Sequence, residues 1–259
     1  MPLSLTFEDL GSGPPVVILH GLFGSRRNWL TLARQLSATA RVLVVDLRNH
    51  GDSPHAPTMY WAELAEDMLH VLDRAGVEQA LMAGHSMGGK VAMTFASRFP
   101  ARTTALLVLD IAPVTYPNRF GEIFAALRSL PVSEMSSRQQ ADAALAESIQ
   151  DRPLRQFLLH NLVRAGQGFR WRMNLSVLEH EMEEISGFPA ITAPSPFAGP
   201  VRFLAGDRSG YMEPPHLEAI HALYPQAEVH TIANAGHWVH AEQPAAVLEY
   251  FRRLLTEPR

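Results

Sequence analysis

The chain has 259 residues, 22 basic against 26 acidic, a formal net charge of -4 and no cysteine. That length holds one large α/β domain or two small ones, and 47% apolar with 19% charged residues is the balance of a chain that buries a core. The missing cysteines exclude disulfides, thiolate-held zinc, iron–sulfur clusters and a thiol nucleophile, and the slightly acidic balance without a long basic run argues against a nucleic-acid surface. The opening MPLSLTFEDL has neither a basic segment nor a long apolar one and is not read as a signal peptide. Apolar runs such as Val16–Leu19 and Ala105–Leu109 are far too short to cross a bilayer. The expectation is a soluble, cytoplasmic protein. Of the basic residues only Lys90 is a lysine, which reads as coding bias.

In chain order, strand-like runs alternate with helical spacing, as in a parallel sheet covered by helices. Strand Val16–Leu19 precedes helix Asn28–Leu36, strand Val42–Val45 precedes helix Tyr60–Ala75, and strand Ala80–Ala83 precedes helix Met87–Phe99. Strand Leu106–Leu109 follows, and then the alternation stops. From about Ala112 to Pro200 no good strand is visible, only helical stretches at Glu122–Leu130, Arg138–Gln150, Arg155–Leu162 and Trp171–Ile185, closed by the Pro-rich connection Pro189–Pro200. A structureless loop of that length is improbable in a compact domain, so a helical insertion is expected. Strand Val201–Ala205, helix Pro214–Leu223, strand Glu228–Ile232 and helix Pro244–Leu255 resume the pattern. The predicted organisation is a sheet core of residues 1–111 and 201–259 carrying a helical cap at 112–200.

The strongest chemical signal is Gly84-His85-Ser86-Met87-Gly88, a G-x-S-x-G between a predicted strand and a predicted helix. In that context the small flanking residues permit the sharp, strained turn of a nucleophile elbow, which projects the Ser86 hydroxyl from the carboxyl edge of the sheet. An ordinary serine N-cap is the plainer alternative. The Met87 N–H then lies at a helix N-terminus, where it can stabilise an oxyanion. A second donor is expected from the turn His20-Gly21-Leu22-Phe23-Gly24, with the Leu22 amide first and Phe23 as the alternative. Serine needs a base beside it. In sheets of this type the base follows the nucleophile and the acid in the chain, which selects His237 in Ala235-Gly236-His237-Trp238 among the 12 histidines. His240 is read as packing, and His216, His221 and His230 as residues of a helix or strand.

Taken together, His20-Gly21-Leu22-Phe23-Gly24-Ser25, Asp46-Leu47-Arg48-Asn49-His50-Gly51-Asp52-Ser53-Pro54, Gly84-His85-Ser86-Met87-Gly88-Gly89-Lys90, Asp110-Ile111-Ala112-Pro113 and Gly236-His237-Trp238 resemble the α/β-hydrolase superfamily. Within it the chain looks like the YbfF-type bacterial esterases and acyl-CoA thioesterases and their mitochondrial abhydrolase relatives. The resemblance implies an α/β-hydrolase fold, a mostly parallel sheet of the eight-stranded type with a helical cap after the family's sixth strand. It also bears on the catalytic acid. Most of the superfamily places this acid after the seventh strand in a G-x-x-D pattern, where this chain reads Gly206-Asp207-Arg208-Ser209. The YbfF-type branch takes its acid from the end of the sixth strand, which implies Asp110, with Ser209 as a supporting fourth member; Asp207 is the alternative acid. Asp46 with Arg48 reads as a charged pair that fixes a loop. Nothing in the local sequence suggests a desolvated Lys90. Trp171, Phe120, Phe124 and Tyr211 are equally suited to an acyl pocket and to plain packing.

The expected activity is that of a serine esterase or thioesterase acting on a small acyl ester or thioester, with no metal, no organic cofactor, no nucleic acid and no membrane span. Carbon–carbon bond hydrolases or lyases of the same fold share these motifs, and a ligand receptor with a retained triad is the non-enzymatic alternative. Fold alone does not choose among them.

Overall fold

A computed structural model describes residues 1–191, 193 and 195–257. Thr192 and Pro194, within the predicted return connection, and residues 258–259 lie outside the described residues. A seven-stranded sheet is built from β1 (Phe7–Leu10), β2 (Pro15–Leu19), β3 (Arg41–Val45), β4 (Ala80–His85), β5 (Thr103–Leu109), and two later strands, Val201–Gly206 and Glu228–Ile232. The helices that connect these strands include α1 (Leu30–Leu36), α2 (Trp61–Arg74) and α3 (Met87–Arg98). Between β5 and the strand at Val201 come α4 (Gly121–Ser129), α5 (Arg138–Leu145), α6 (Arg152–Leu159), β6 (Leu162–Ala165), β7 (Gly168–Trp171), α7 (Leu175–His180) and α8 (Met182–Ser186). The chain then continues through β8 (Val201–Gly206), α9 (Pro214–Leu223), β9 (Glu228–Ile232), α10 (Val239–Glu242) and α11 (Pro244–Thr256).

The strand order is β1-β3-β2-β4-β5-β8-β9, with β1 antiparallel to β3 and every other pair parallel. Successive side chains of a strand point to opposite faces, and the apolar runs use both. Val17, Leu19, Leu43 and Val45 join the core on one face, while Val16, Ile18, Val42 and Val44 join the core on the other. From β2 the chain steps outward to β3 and then returns to β4 on the opposite side of β2. That reversal opens a crevice at the carboxyl ends of β2 and β4, the place where open α/β sheets take their ligands.

All six predicted sheet strands are present, along with the flanking helices. Three details differ. β1 is a seventh strand that the sequence hid, because its half-polar Phe7-Glu8-Asp9-Leu10 covers only a sheet edge. The sheet is therefore one short of the eight-stranded type; the strand before the insertion is fifth in this chain. The insertion is also not purely helical. The predicted helices Arg155–Leu162 and Trp171–Ile185 overrun a two-stranded hairpin, β6 paired antiparallel with β7. Its turn is closed by Gly166 at a φ of 59°, a conformation glycine adopts without a Cβ clash.

Candidate active site

Ser86 stands between β4 and α3 at a φ of 52° and a ψ of -122°, outside the regions most residues occupy. This turn needs its glycines. A Cβ on Gly84 would overlap the Gly88 carbonyl, and one on Gly88 would overlap the Leu19 and His20 carbonyls where α3 passes the end of β2. The Ser86 N–H donates to the Leu109 carbonyl at 2.9 Å, which ties the elbow to the end of β5. One residue beyond lies Asp110, also at a φ of 52° and fully buried. Backbone strain of this kind costs of order 1–3 kcal/mol per residue and persists only where the surroundings enforce it.

The Asp110 carboxylate has all its partners inside the protein. Oδ1 accepts the Gly206 N–H at 3.0 Å, and Oδ2 accepts the Ser209 hydroxyl and the Nδ1–H of His237, the latter at 2.7 Å. A carboxylate so placed fixes the imidazole with Nδ1 protonated and Nε2 free to take a proton. Tyr211 stacks on the His237 ring with centroids 4.0 Å apart, and its position is held in turn by the Tyr116 hydroxyl, which donates to the Tyr211 carbonyl at 2.6 Å. On the opposite side, the His237 carbonyl accepts from His85 Nε2 at 2.7 Å. Burial pushes the His85 imidazole well below the ordinary histidine range, so it serves as a neutral donor. Asp207 stands apart. Its carboxylate accepts the Asn234 and Ala235 N–H groups at 2.9 and 3.1 Å and closes the loop between β9 and His237.

Ser86 opens onto two cavities. One of about 320 Å³ is lined by Leu22, Met87, Lys90, Tyr116, Arg119 and Met182 among others. A narrower one of about 190 Å³ runs between Phe23, Phe157, Tyr211, His237 and Trp238. The Leu22 and Met87 amides donate to no protein acceptor among the described residues. Of the four aromatic pocket candidates, Phe120 and Tyr211 line both cavities, and Phe124 packs against Phe23 with centroids 5.1 Å apart. Trp171 is half-buried on β7.

Two sequence expectations change. Asp46 and Arg48 do fix loops, but not by pairing with each other. Asp46 takes Arg26, whereas Arg48 makes a bidentate pair with Asp67 on α2 at 2.7 and 3.0 Å and reaches Glu63 as well. Lys90 is desolvated after all. Its ammonium is buried, donates to the Ser186 and Gly187 carbonyls at 2.8 and 2.6 Å, and faces the Tyr116 ring 5.0 Å away; burial without a carboxylate partner lowers its pKa to about 7. His85 was hidden inside the elbow motif, where only the serine was read.

The model of the alpha/beta hydrolase fold family matches residues 14–244. The Escherichia coli (strain K12) protein "Esterase YbfF" is 39% identical over 97% of this chain and 97% of its own length. The Mus musculus "sn-1-specific diacylglycerol lipase ABHD11" is 40% identical over 94% of this chain and 82% of that protein. A solved marine microorganism esterase superposes with a TM-score of 0.93 at 37% identity, covering 97% of this chain and 99% of its own.

Proposed function

The chain belongs to the alpha/beta hydrolase fold family and is a carboxylic ester hydrolase, and from that premise we propose that it works by acyl transfer through Ser86. His237 Nε2 removes the Ser86 proton as Oγ attacks the acyl carbonyl. The tetrahedral oxyanion sits against the Leu22 and Met87 amides, and donors so placed act where water is excluded, each worth about 3–4 kcal/mol. Asp110 stabilises the imidazolium, with Ser209 and the Gly206 amide keeping its carboxylate in place. His237 then protonates the leaving oxygen or sulfur, and the same base activates the water that releases the acid. The observation that carries this reading is the His237–Asp110 bond at 2.7 Å, with His237 lining the smaller cavity beside Ser86.

We read residues 112–200 as a cap over this site, because Phe120, Met182 and Phe157 from that segment form the cavity walls facing Ser86. A cavity near 320 Å³ is at the small end for ligand pockets and suits a small acyl ester. The test is hydrolysis of p-nitrophenyl esters of graded chain length, alongside acyl-CoA thioesters, with Ser86→Ala as the blank. Ser86-dependent release of nitrophenol supports acyl transfer, and release of CoA extends it to thioesters. A folded protein that turns over neither series has a different chemistry, with carbon–carbon cleavage next to be tried.

A further inference from the structure

The turn that carries the Leu22 amide also contains an unusual backbone conformation. Phe23 adopts a φ of 60°, in the left-handed region where a bulky side chain is an outlier. Two contacts from the inserted segment hold it there. Its ring packs against Phe120 and Phe124, with centroids 5.9 and 5.1 Å away. Its carbonyl accepts a hydrogen bond from Asn161 Nδ2 at 2.6 Å, although the two residues are 138 positions apart.

Asn161 is 3% exposed and sits between α6 and β6. Its Nδ2 faces two carbonyls, Phe23 and Leu158, so the amide is oriented as a donor toward both. Its own carbonyl accepts the Arg172 N–H at 2.8 Å, which fastens it to the hairpin. The Phe23 carbonyl and the Gly24 N–H belong to one peptide group. That Gly24 N–H donates to the Gly21 carbonyl at 2.9 Å. The Gly21 carbonyl, in turn, shares its peptide group with the Leu22 N–H. From the core side His20 holds the same carbonyl: its Nε2 accepts the Leu47 N–H at 3.0 Å, so the proton is on Nδ1, which donates to Gly21 at 2.8 Å.

We propose that Asn161 is a positioning residue of the oxyanion hole, acting through this relay of two peptide groups to aim and polarise the Leu22 N–H. Each hydrogen bond received at one end of a peptide strengthens the bond given at the other. The inserted segment then takes part in the chemical step, beyond shaping the pocket. The proposal rests on the reading of Leu22 as an oxyanion donor in acyl transfer.

The test compares Asn161→Leu, similar in volume but without a donor, with Asp142→Asn, which weakens only the Arg155 pair inside the same segment. The readouts are kcat and KM on a p-nitrophenyl ester, the inhibition constant of an alkyl trifluoromethyl ketone, and Tm. Removing an oxyanion donor outright costs about 10²–10³ in kcat, so misaiming one predicts a loss of roughly tenfold to a hundredfold in Asn161→Leu. KM should stay within about twofold, and binding of the ketone, which forms a tetrahedral adduct, should weaken by the same factor as kcat. Asp142→Asn should lower Tm while keeping kcat and ketone affinity. If Asn161→Leu does not fold, Asn161→Ala makes the same comparison. Unchanged kcat and ketone affinity in a folded Asn161 variant, or losses in KM and Tm that Asp142→Asn reproduces, would overturn the proposal. Wild-type protein without Ser86-dependent turnover would instead overturn the functional reading beneath it.

Discussion

The carboxyl edge of the sheet and the segment between β5 and β8 face each other across the same cavities, yet they are held together differently. At the sheet edge, short bonds to buried charges determine each position: fully buried Asp110 accepts three, Arg48 is locked to Asp67, and four histidines lie buried nearby. In the inserted segment, short helices and a hairpin of two four-residue strands rest mainly on apolar packing, Asn161 and Arg155, the latter paired with Asp142, being buried exceptions, and the Arg128–Glu179 contact is exposed to water. Where polar groups are buried, a single wrong atom is expensive. Where they are solvated, substitution is mild.

The largest expected effect lies at the sheet edge. Ser86→Ala should lose on the order of 10⁶ in kcat, since members of a triad act as a unit. Asp110→Asn should follow at about 10⁴ because it stabilises the wrong tautomer of His237, while Asp207→Asn leaves kcat within about tenfold. Single-turnover assays on both variants check this, and the reverse order would reassign the acid.

Arg48→Met leaves Asp67 buried without its partner and should cost about 3–5 kcal/mol of stability in urea unfolding. A loss below about 1 kcal/mol would mean that the sheet edge relaxes as easily as the insertion.

Acid should also separate the two regions. Burial holds His20 at about 4 and His50 and His240 at about 3, against an ordinary value of 6.5, whereas His160 and His180 in the insertion are exposed. Below pH 6.5 the unfolded chain binds protons that the folded chain refuses. Stability is therefore full above 6.5 and falls as the pH drops toward 4, by up to about 1.4 kcal/mol per pH unit for each histidine. Tm measured from pH 7 to 4.5 should drop steeply, and less steeply in His240→Phe, which keeps the stacking on Trp29. A flat profile would contradict neutral burial.

The smallest effect is expected from Arg128→Ala, which removes the exposed bond between α4 and α7. Its change in unfolding free energy should stay within about 1 kcal/mol and shrink in high salt.

The same contrast explains what could be read from the sequence. Parallel strands buried on both faces announce themselves as apolar runs, and the elbow glycines are required by the backbone itself, so six strands and the position of Ser86 were legible. Asp110 was reached through resemblance, since a lone aspartate after a strand resembles any turn residue. The hairpin was missed because four residues per strand are too few for alternation to stand out from helical spacing. Asn161 belongs to no motif, and its contact with Phe23 exists only once the chain has folded. Half-buried, half-polar β1 failed for a related reason: an edge strand needs only one apolar face.

Lys90 has one more consequence. As the chain's only lysine, at 2% exposure beneath the end of α8, it leaves the folded surface without an ε-amine. That nitrogen also borders the larger cavity beside Ser86, so its acylation rate reports how readily an amine-directed reagent enters the cavity and draws the ammonium away from the Ser186 and Gly187 carbonyls.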